Sequence, residues 1–569
     1  MRQGEGPKTV HYMYKFQDPK WSVINIGSDV LFVFLCGYTK CTMYLRLIAA
    51  LFLIPCSLFG QRYANKETEK FDYLLYFLSN NYVDTVNNHQ LVEDGIRAML
   101  KNLDPHSVYL TKEELKEMDE PLVGNFDGVG IQFNILEDTI VVVNTIVGGP
   151  SEKVGILAGD KLVKIEGESV AGIKIKNKDV IGKLRGNRGT IVNVSVYRKG
   201  EKNLIDYKIT RDKIPLTSID ATYMADSETG YIKLSRFSAT SGTEFVESLT
   251  KLKEKGMKNL IIDLTGNGGG YLQTAIDIAD NVLTENNLVV YTKGRTEGSK
   301  VPYNSTSKGL FEKGKLIVLI DEGSASASEI VSGAVQDLDR GLIIGRRSFG
   351  KGLVQNSFPF PDGSAMRLTT ARYYTPSGRC IQKPYEEGVE DYYDDLNKRF
   401  KHGEFTNRDS IHFADSLKFY TSGKRLVYGG GGIMPDIFIG LDTTENSKYL
   451  TDVYRKGIFN KFTLKYVDQN RADIKSKYPD FKAYKANFVT TDAILNEFIA
   501  AAEIDEIKRD EDGLAKSGVF IRRQIRALIA NNIWGTNEYY ELSNELNPIV
   551  KEALVQMKSD NFKKLKLRY

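Results

Sequence analysis

From Glu67 to Met118 apolar residues recur at helical spacing, as in "FDYLLYFLSNNYV" and "LVEDGIRAMLKNL". The stretch "LDPHSVYLTKEEL" breaks that pattern and restarts it, with Thr111 as the N-cap ahead of Glu114. A small helical domain over 61–120 is predicted. The period then changes. Between about Gly124 and Arg211, "GVGIQFNI", "TIVVVNTI", "DKLVKIEGESV" and "TIVNVSVYRKG" read as strands, while "PSEKVGI" and "NKDVIGKLRG" read as short helices. From Gly230 strands and helices alternate. "GYIKLSRF" is a strand, and "SGTEFVESLTKLKEKG" is a helix opened by a capping box of Ser241 and Glu244. "NLIIDLTGNGGG" is a buried strand ending in a glycine turn; the helix "YLQTAIDIADNVL" and the strands "LVVYT", "KLIVLI", "GLIIG" and "AMRLTTARYYT" follow. This alternation predicts an α/β core over 213–441. The charged segment 383–426, with "EEGVEDYYDD", reads as a surface insertion, and "VYGGGGIMPDI" returns to the core. Beyond about Asp442 the pattern is helical through 569. The fold class is therefore a multidomain α/β (α+β) chain with helical N- and C-terminal regions.

Composition changes the picture little. A chain of 569 residues, 41% hydrophobic and 26% charged, suits a soluble protein of two to four domains. A net charge of +4 argues against nucleic acid as the main partner. The terminal "KKLKLRY" reads as a solvated basic end. "MYLRLIAALFLIPCSLFGQ", Met43 to Gln61, has the layout of a secretory signal peptide, which points to Met43 as the true start and to cleavage near Gln61, with 1–60 as the signal region. The run Leu47 to Gly60 is short for a membrane span, so an uncleaved anchor is the weaker reading. Lipidation at Cys56 fits badly with Pro55 before it. Export across an inner membrane, to a periplasm, is the expected localisation. Only Cys380 follows Gln61, so no internal disulfide is expected, and no zinc spacing occurs. Neither a metal nor a cofactor is expected.

The chemistry concentrates in "LIVLIDEGSASASEIVSGAVQD", Leu316 to Asp337. Serine is an indifferent helix former, and one would suffice as a cap. A nucleophilic serine, by contrast, needs an exposed hydroxyl, a base and donors for an oxyanion. A strand-to-helix turn exposes the first and directs free N–H groups outward. The glycine-rich turn "DLTGNGGG" offers another N–H, because glycine lets the backbone approach closely. None of the five histidines lies in the α/β core, and His106 in "LDPHS" reads as structural, so a Ser-His-Asp triad is poorly supported. A neutral lysine can replace histidine. Moving its pKa from about 10.4 to about 7.5 takes roughly 4 kcal/mol of desolvation and neighbouring charge. Lys351 in "RRSFGKGLVQ", flanked by two glycines and near Phe349, Leu353 and Val354, is a candidate.

Two resemblances organise these motifs. The element order of 121–212, with "GVGIQF" at the carboxylate-binding loop and "GGPSEKVGILAGDKLVKIEGESV" after it, resembles a PDZ domain. That implies peptide binding by Gly128, Val129, Gly130 and Ile131 through strand addition and backbone capture of a terminal carboxylate. "DLTGNGGG", "GSASASEIVSGAVQD", "GRRSFGKGLVQ" and "ARYYTPSGR", in that order along the chain, resemble the carboxyl-terminal processing (tail-specific) proteases over roughly Phe71 to Gly440. The resemblance implies a protease core of the ClpP/crotonase-like type. It puts the nucleophile on Ser326, the general base on Lys351 and an orienting glutamine on Gln355. Oxyanion donors would be Ala327 N–H and that of Gly268 or Gly269, since the family's "NPGG" reads "NGGG" here. Glu329 and Asp337 become structural supports, Ser324 a cap and Ser328 a small packing residue. The peptide main chain is expected to pair with the strand around Met366 to Tyr374. Expected partners are protein or peptide substrates bound by their C-termini, with room for an activating adaptor, peripheral membrane association and oligomers. The alternative is an inactive PDZ-containing scaffold that binds tails without cutting them.

Overall fold

The computed structural model describes residues 66–569, Lys308 excepted, together with the backbone of the short strands Ile24–Ile26 and Asp29–Leu31. The leader-like run from Met43, Cys36, Cys41, Cys56 and His11 lie outside the described residues. The chain divides into two compact units, 1–94 and 95–569. In the first, helix Lys66–Asn81 carries the exposed rings Phe71, Tyr73, Tyr76 and Phe77.

In the second unit, helix Lys112–Val123 starts at the expected capping box: Thr111 Oγ1 accepts from Glu114 N–H (3.2 Å) and the Glu114 carboxylate accepts from Thr111 N–H (2.9 Å). An antiparallel sheet follows, in the order Ile205–Thr210, Ile191–Tyr197, Lys161–Ile165, Thr139–Thr145, Ile131–Leu136. The last of these is an edge strand. Helix Asn177–Leu184 closes the sheet over a core that includes Val129, Ile140, Leu162, Val180 and Val194.

The central sheet runs Ile219–Met224, Thr229–Leu234, Asn259–Asp263, Leu316–Ile320, Leu342–Gly345, Ile437–Phe438, with the first pair antiparallel and the rest parallel. All five residues of Leu316–Ile320 are buried because both faces are covered. Leu316, Val318 and Ile320 meet helices Ser241–Glu254, Leu272–Asp280 and Ala327–Asp337, while Ile317 and Leu319 meet the chain's end. A second sheet, Val301–Asn304, Leu288–Gly294, Ala365–Tyr374, Leu353–Pro359, flanks the first.

Three expectations are corrected and one is extended. The helix at Ser241 has no Ser241–Glu244 capping box. Thr240 is its N-cap, and Glu244 instead accepts from Ser218 N–H (2.8 Å) and Ile219 N–H (3.1 Å), tying the helix to the neighbouring strand. The segment 383–426 is not simply a surface insertion, since its helix Val389–Lys401 buries Tyr392 and Arg399. The C-terminal region is helical, as its pattern predicts, and packs as two assemblies. Helices from Lys448–Arg455 to Glu511–Ile533 build their own aromatic core around Phe459, Phe462 and Phe498, whereas Pro548–Lys558 lays Ile549, Val550 and Ala553 on the central sheet. Finally, "KKLKLRY" is anchored: Phe562 is fully buried, Leu567 nearly so, and Arg568 N–H donates to Asp339 O (2.7 Å). Lysines took the sequence pattern for a tail; alternate apolar residues took the structure to the sheet. Phe562→Ala is expected to cost about 3–5 kcal/mol in a denaturant melt although it lies so near the terminus.

The helical region also touches the domain built on the first antiparallel sheet. Lys465 Nζ reaches Glu137 at the tip of a hairpin (2.7 Å), and Asp468 pairs with Lys161 (3.4 Å). Both pairs are exposed or half-exposed, so each contributes at most about 1 kcal/mol.

Candidate functional site

The site forms where the parallel strands Asn259–Asp263 and Leu316–Ile320 end, the usual crevice of such sheets. Two turns leave these carboxyl ends and are stitched together. Asn267, fully buried, accepts on its carbonyl from Ala325 N–H (3.0 Å) and from Ser328 Oγ (2.8 Å), and its amide donates to Leu234 O (2.9 Å). Ser324 Oγ donates to Leu264 O (2.8 Å) and accepts from Asp321 N–H (2.9 Å). Ser324 and Ser328 are thus cross-links to the glycine-rich turn, rather than a cap and a packing residue. Ser326, between them, is half-exposed while its neighbours Ala325 and Ala327 are buried.

Ser326 occupies φ +55°, ψ −112°, a strained conformation for a residue with a Cβ, and it is the N-cap of helix Ala327–Asp337. Its hydroxyl takes no part in the cap; Glu329 carries that role, accepting from Ser326 N–H (2.8 Å). The same carboxylate, fully buried, accepts from Lys351 N–H (2.9 Å), Gly350 N–H (2.7 Å) and Ser348 Oγ (2.5 Å). Burial pushes its pKa up to about 7 against the pull of those donors. Glu329 therefore clamps the backbone of Ser326 to the backbone of Lys351. Tyr373, also buried, adds a second clamp by reaching Ser326 O (3.0 Å) and Lys351 O. Nothing in the sequence pattern singled out Tyr373; its place opposite both turns depends on sheet pairing.

Lys351 lies on a turn whose two glycines are forced. Gly350 has φ +90°, and a Cβ on Gly352 would meet the Gln382 backbone at 2.9 Å. The lysine is mostly buried, and its pKa falls below the ordinary value, first through desolvation, then through the charge of Arg367, against the opposing charges of Glu329 and Asp104. Gln355 donates to Thr369 Oγ1 (3.2 Å), which in turn donates to Asp104 Oδ1 (3.0 Å). Ser326, Lys351, Gln355, Gly268 and Gly269 all line one cleft of about 530 Å³, with Leu272, Ile330, Leu353 and Arg367 among its walls. Asp337, by contrast, lies outside it, in a fully buried ion pair with Arg379 (2.7 Å). His106 contacts Tyr392 OH (3.0 Å), and burial followed by the charge of Lys351 lowers its pKa to about 4, so it is neutral and not a cation at physiological pH.

The two glycines differ. Gly269 N–H donates to Asn267 Oδ1 (2.9 Å), so it is already used, whereas Gly268 N–H and Ala327 N–H make no hydrogen bond among the described residues. Gly269 has φ +101°, and a Cβ there would sit 2.8 Å from Ser326 Cβ and from Ala325 O; at Gly268 the space is open. Gly269→Ala is therefore expected to reduce turnover by ~100-fold or more, while Gly268→Ala, read in the same peptidase assay, loses at most ~10-fold.

The strand Met366 to Tyr374 offers no edge for a peptide. Ala365–Tyr374 is paired with Leu353–Pro359 on one side, and with Leu288–Gly294 and Val108–Leu110 on the other. Thr369 N–H, in the remaining gap, donates to Ser107 Oγ (3.1 Å). The open edge belongs to Leu353–Pro359, a distinction no single-strand pattern encodes.

In the PDZ-like sheet, Val129 O accepts from Ser151 N–H (3.0 Å) and Ser151 Oγ (2.7 Å), and Gly130 O accepts from Ile146 N–H (2.9 Å). With those carbonyls turned inward, planar peptides turn Gly130 N–H and Ile131 N–H away from them, at the head of the edge strand Ile131–Leu136. Gly128 ends the preceding strand Asn125–Gly128 and pairs with Asp212.

The sequence model of Peptidase family S41 matches residues 228–393, that of the PDZ domain residues 128–209, and that of the activating protease CtpB N-terminal domain residues 58–114. Residues 449–535 match a family of unknown function. The chain is 36% identical over 321 residues to a carboxy-terminal-processing protease of Bartonella bacilliformis, covering 56% of this chain and 73% of that protein. It is 34% identical to the carboxy-terminal processing protease CtpB of Bacillus subtilis (59% and 69% covered) and 33% identical to CtpA of the same organism (61% and 76%). A chain with an S41 core, a PDZ domain and this likeness belongs to the carboxy-terminal processing proteases, which are serine-type peptidases.

Proposed function

We propose that Ser326 is the nucleophile and Lys351 its general base, and that they hydrolyse peptide bonds of proteins held by their C-termini on Gly128–Ile131. The observation that carries this is the meeting, in one cleft, of a half-exposed strained serine, a mostly buried lysine of lowered basicity and the unused Gly268 N–H, with the unused Ala327 N–H on the residue after the serine. Ser326 Oγ attacks the carbonyl carbon as its proton passes to neutral Lys351 Nζ. Ala327 N–H and Gly268 N–H hold the oxyanion. Collapse breaks the C–N bond, and the leaving amine takes the proton from Lys351. A water then loses its proton to Lys351 and attacks the ester, releasing the new carboxyl end and restoring the serine. Gln355, whose amide nitrogen is anchored on Thr369 and which lines the same cleft, is assigned the orienting role for the lysine. The substrate adds to the open edge Leu353–Pro359, and Leu272, Ile330 and Leu353 favour an apolar side chain beside the cut.

The test is incubation with an unstructured protein bearing an apolar C-terminus, with fragments read by mass spectrometry. Wild type is expected to cut it, and to cut an amidated tail more slowly because the carboxylate capture is lost. Cleavage that survives Ser326→Ala would move the nucleophile elsewhere. The proposal extends to localisation: the leader-like run Met43 to Gln61 supports export, and an N-terminal residue other than one near Gln61 on the mature protein would refute that part.

A further inference from the structure

The segment from Lys383 to Phe405 lies behind the turn that carries Lys351, and its contacts are made by buried charged and aromatic side chains rather than by surface ones. We propose that Arg399 and Tyr392 are positioning residues for the general base, holding the Phe349–Gly352 turn in place and keeping water away from Lys351. The inference rests on Lys351 being the proton acceptor.

Arg399, on helix Val389–Lys401, is 3% exposed. Its guanidinium donates to Ser348 O (3.0 Å), to Arg347 O (2.8 Å) and to Glu404 (3.2 Å). The first two acceptors are the carbonyls just before Phe349, Gly350 and Lys351. Burial lowers its pKa to about 10, so it remains a cation at neutral pH. A buried cation is a poor way to gain stability, because desolvation offsets most of what its partners return. A planar fork that fixes two successive carbonyls is, however, a good way to fix a turn. Ser348, between the two, donates to Glu329, so the fork also supports the clamp on Ser326.

Tyr392 completes the wall. It is 1% exposed, stands edge-on to Phe349 (5.8 Å) and to His106 (5.2 Å), and its hydroxyl meets His106 Nε2 at 3.0 Å. Lys383 Nζ sits 4.1 Å from both the Phe349 and Tyr392 rings, and its backbone N–H donates to Gly350 O (2.9 Å). The charged and titratable groups acting on Lys351 come from three other elements: Glu329 from helix Ala327–Asp337, Arg367 from strand Ala365–Tyr374, and Asp104 with His106 from the turn before Val108–Leu110. Lys383 acts on the same His106. With His106 neutral, the wall formed by Tyr392 and His106 brings no charge of its own. Loosening it admits water, favours the ammonium and delays the onset of activity to higher pH.

The test uses the full chain, a C-terminal tail peptide as substrate, and kcat and KM measured across pH. Arg399→Lys keeps the charge and loses the fork. It is expected to lower kcat at neutral pH ~10-fold with KM changed less than ~2-fold, and to move the acid limb of kcat up by about one pH unit, so that alkaline pH restores part of the rate. Tyr392→Phe keeps the ring and removes only the hydroxyl; a smaller upward move, about half a pH unit, is expected. A loss that is uniform at all pH, or an unmoved limb in either variant, overturns the proposal. Should Arg399→Lys fail to fold, Tyr392→Phe decides by the same limb. Lys351→Arg is measured alongside: if it turns over normally, the base itself is misassigned, which is a different failure from an unmoved limb with Lys351→Arg inert.

Discussion

Ser326→Ala lowers kcat by about 10⁴-fold or more and leaves the fold and the affinity for C-terminal peptides unchanged. The size follows from losing covalent catalysis altogether, with only oxyanion donation and substrate placement left to act on a water. The unchanged stability follows from the contacts. Ser324 and Ser328 carry the hydrogen bonds that join the two turns, and Glu329 caps the helix, so the Ser326 hydroxyl has no structural duty to lose. A melt within about 0.5 kcal/mol of wild type is expected. Ser328→Ala gives the contrast, since its hydroxyl holds Asn267 O, and its cost appears in stability as well as in rate.

Lys351→Arg abolishes turnover to a similar extent, because a guanidinium stays protonated at every workable pH and cannot accept the serine proton. In the wild type the same logic sets the pH profile. Burial and the charge of Arg367 lower the Lys351 pKa, and only the deprotonated fraction is a base. The rate therefore rises with pH, about tenfold per pH unit below that pKa, and levels above it. Glu329 titrates in the same direction: above about pH 7 it is ionised and accepts from all its donors, which tightens the clamp as the lysine loses its proton. Arg367→Met removes the cation that helps to discharge Lys351, so the acid limb moves up; a limb that stayed or moved down would refute this account of the charge balance. A rate that falls from pH 6 to pH 9 in folded enzyme would refute a lysine base.

Much of this protein is written in its local pattern. The fully apolar run Leu316–Ile320, bounded by turn residues and rich in Ile and Val, reads as a strand covered on both faces, and it is one. Thr111 and Glu114 fix a helix start because both partners of the capping box lie within one turn. Ser241 and Glu244 have the same spacing, and no such box forms, because a neighbouring strand offers Glu244 better donors at Ser218 and Ile219. Spacing shows what a side chain is able to reach; packing selects what it reaches.

The sequence by itself determined the element order, the strand-to-helix turn at Ser326, the glycine turns around Gly269 and Lys351, and the likeness to a processing protease. These are properties of adjacent residues, set by steric and hydrogen-bonding rules that act over a few positions. Only the tertiary structure decided that Gly269 N–H is spent on Asn267 while Gly268 N–H is free, and that the open edge is Leu353–Pro359. It also decided that Tyr373 and Glu329 bind the two turns together, and that a charged insertion and a basic tail are anchored in the core. Each of these depends on which distant segment arrives beside a group, and burial then makes the outcome costly to leave unsatisfied.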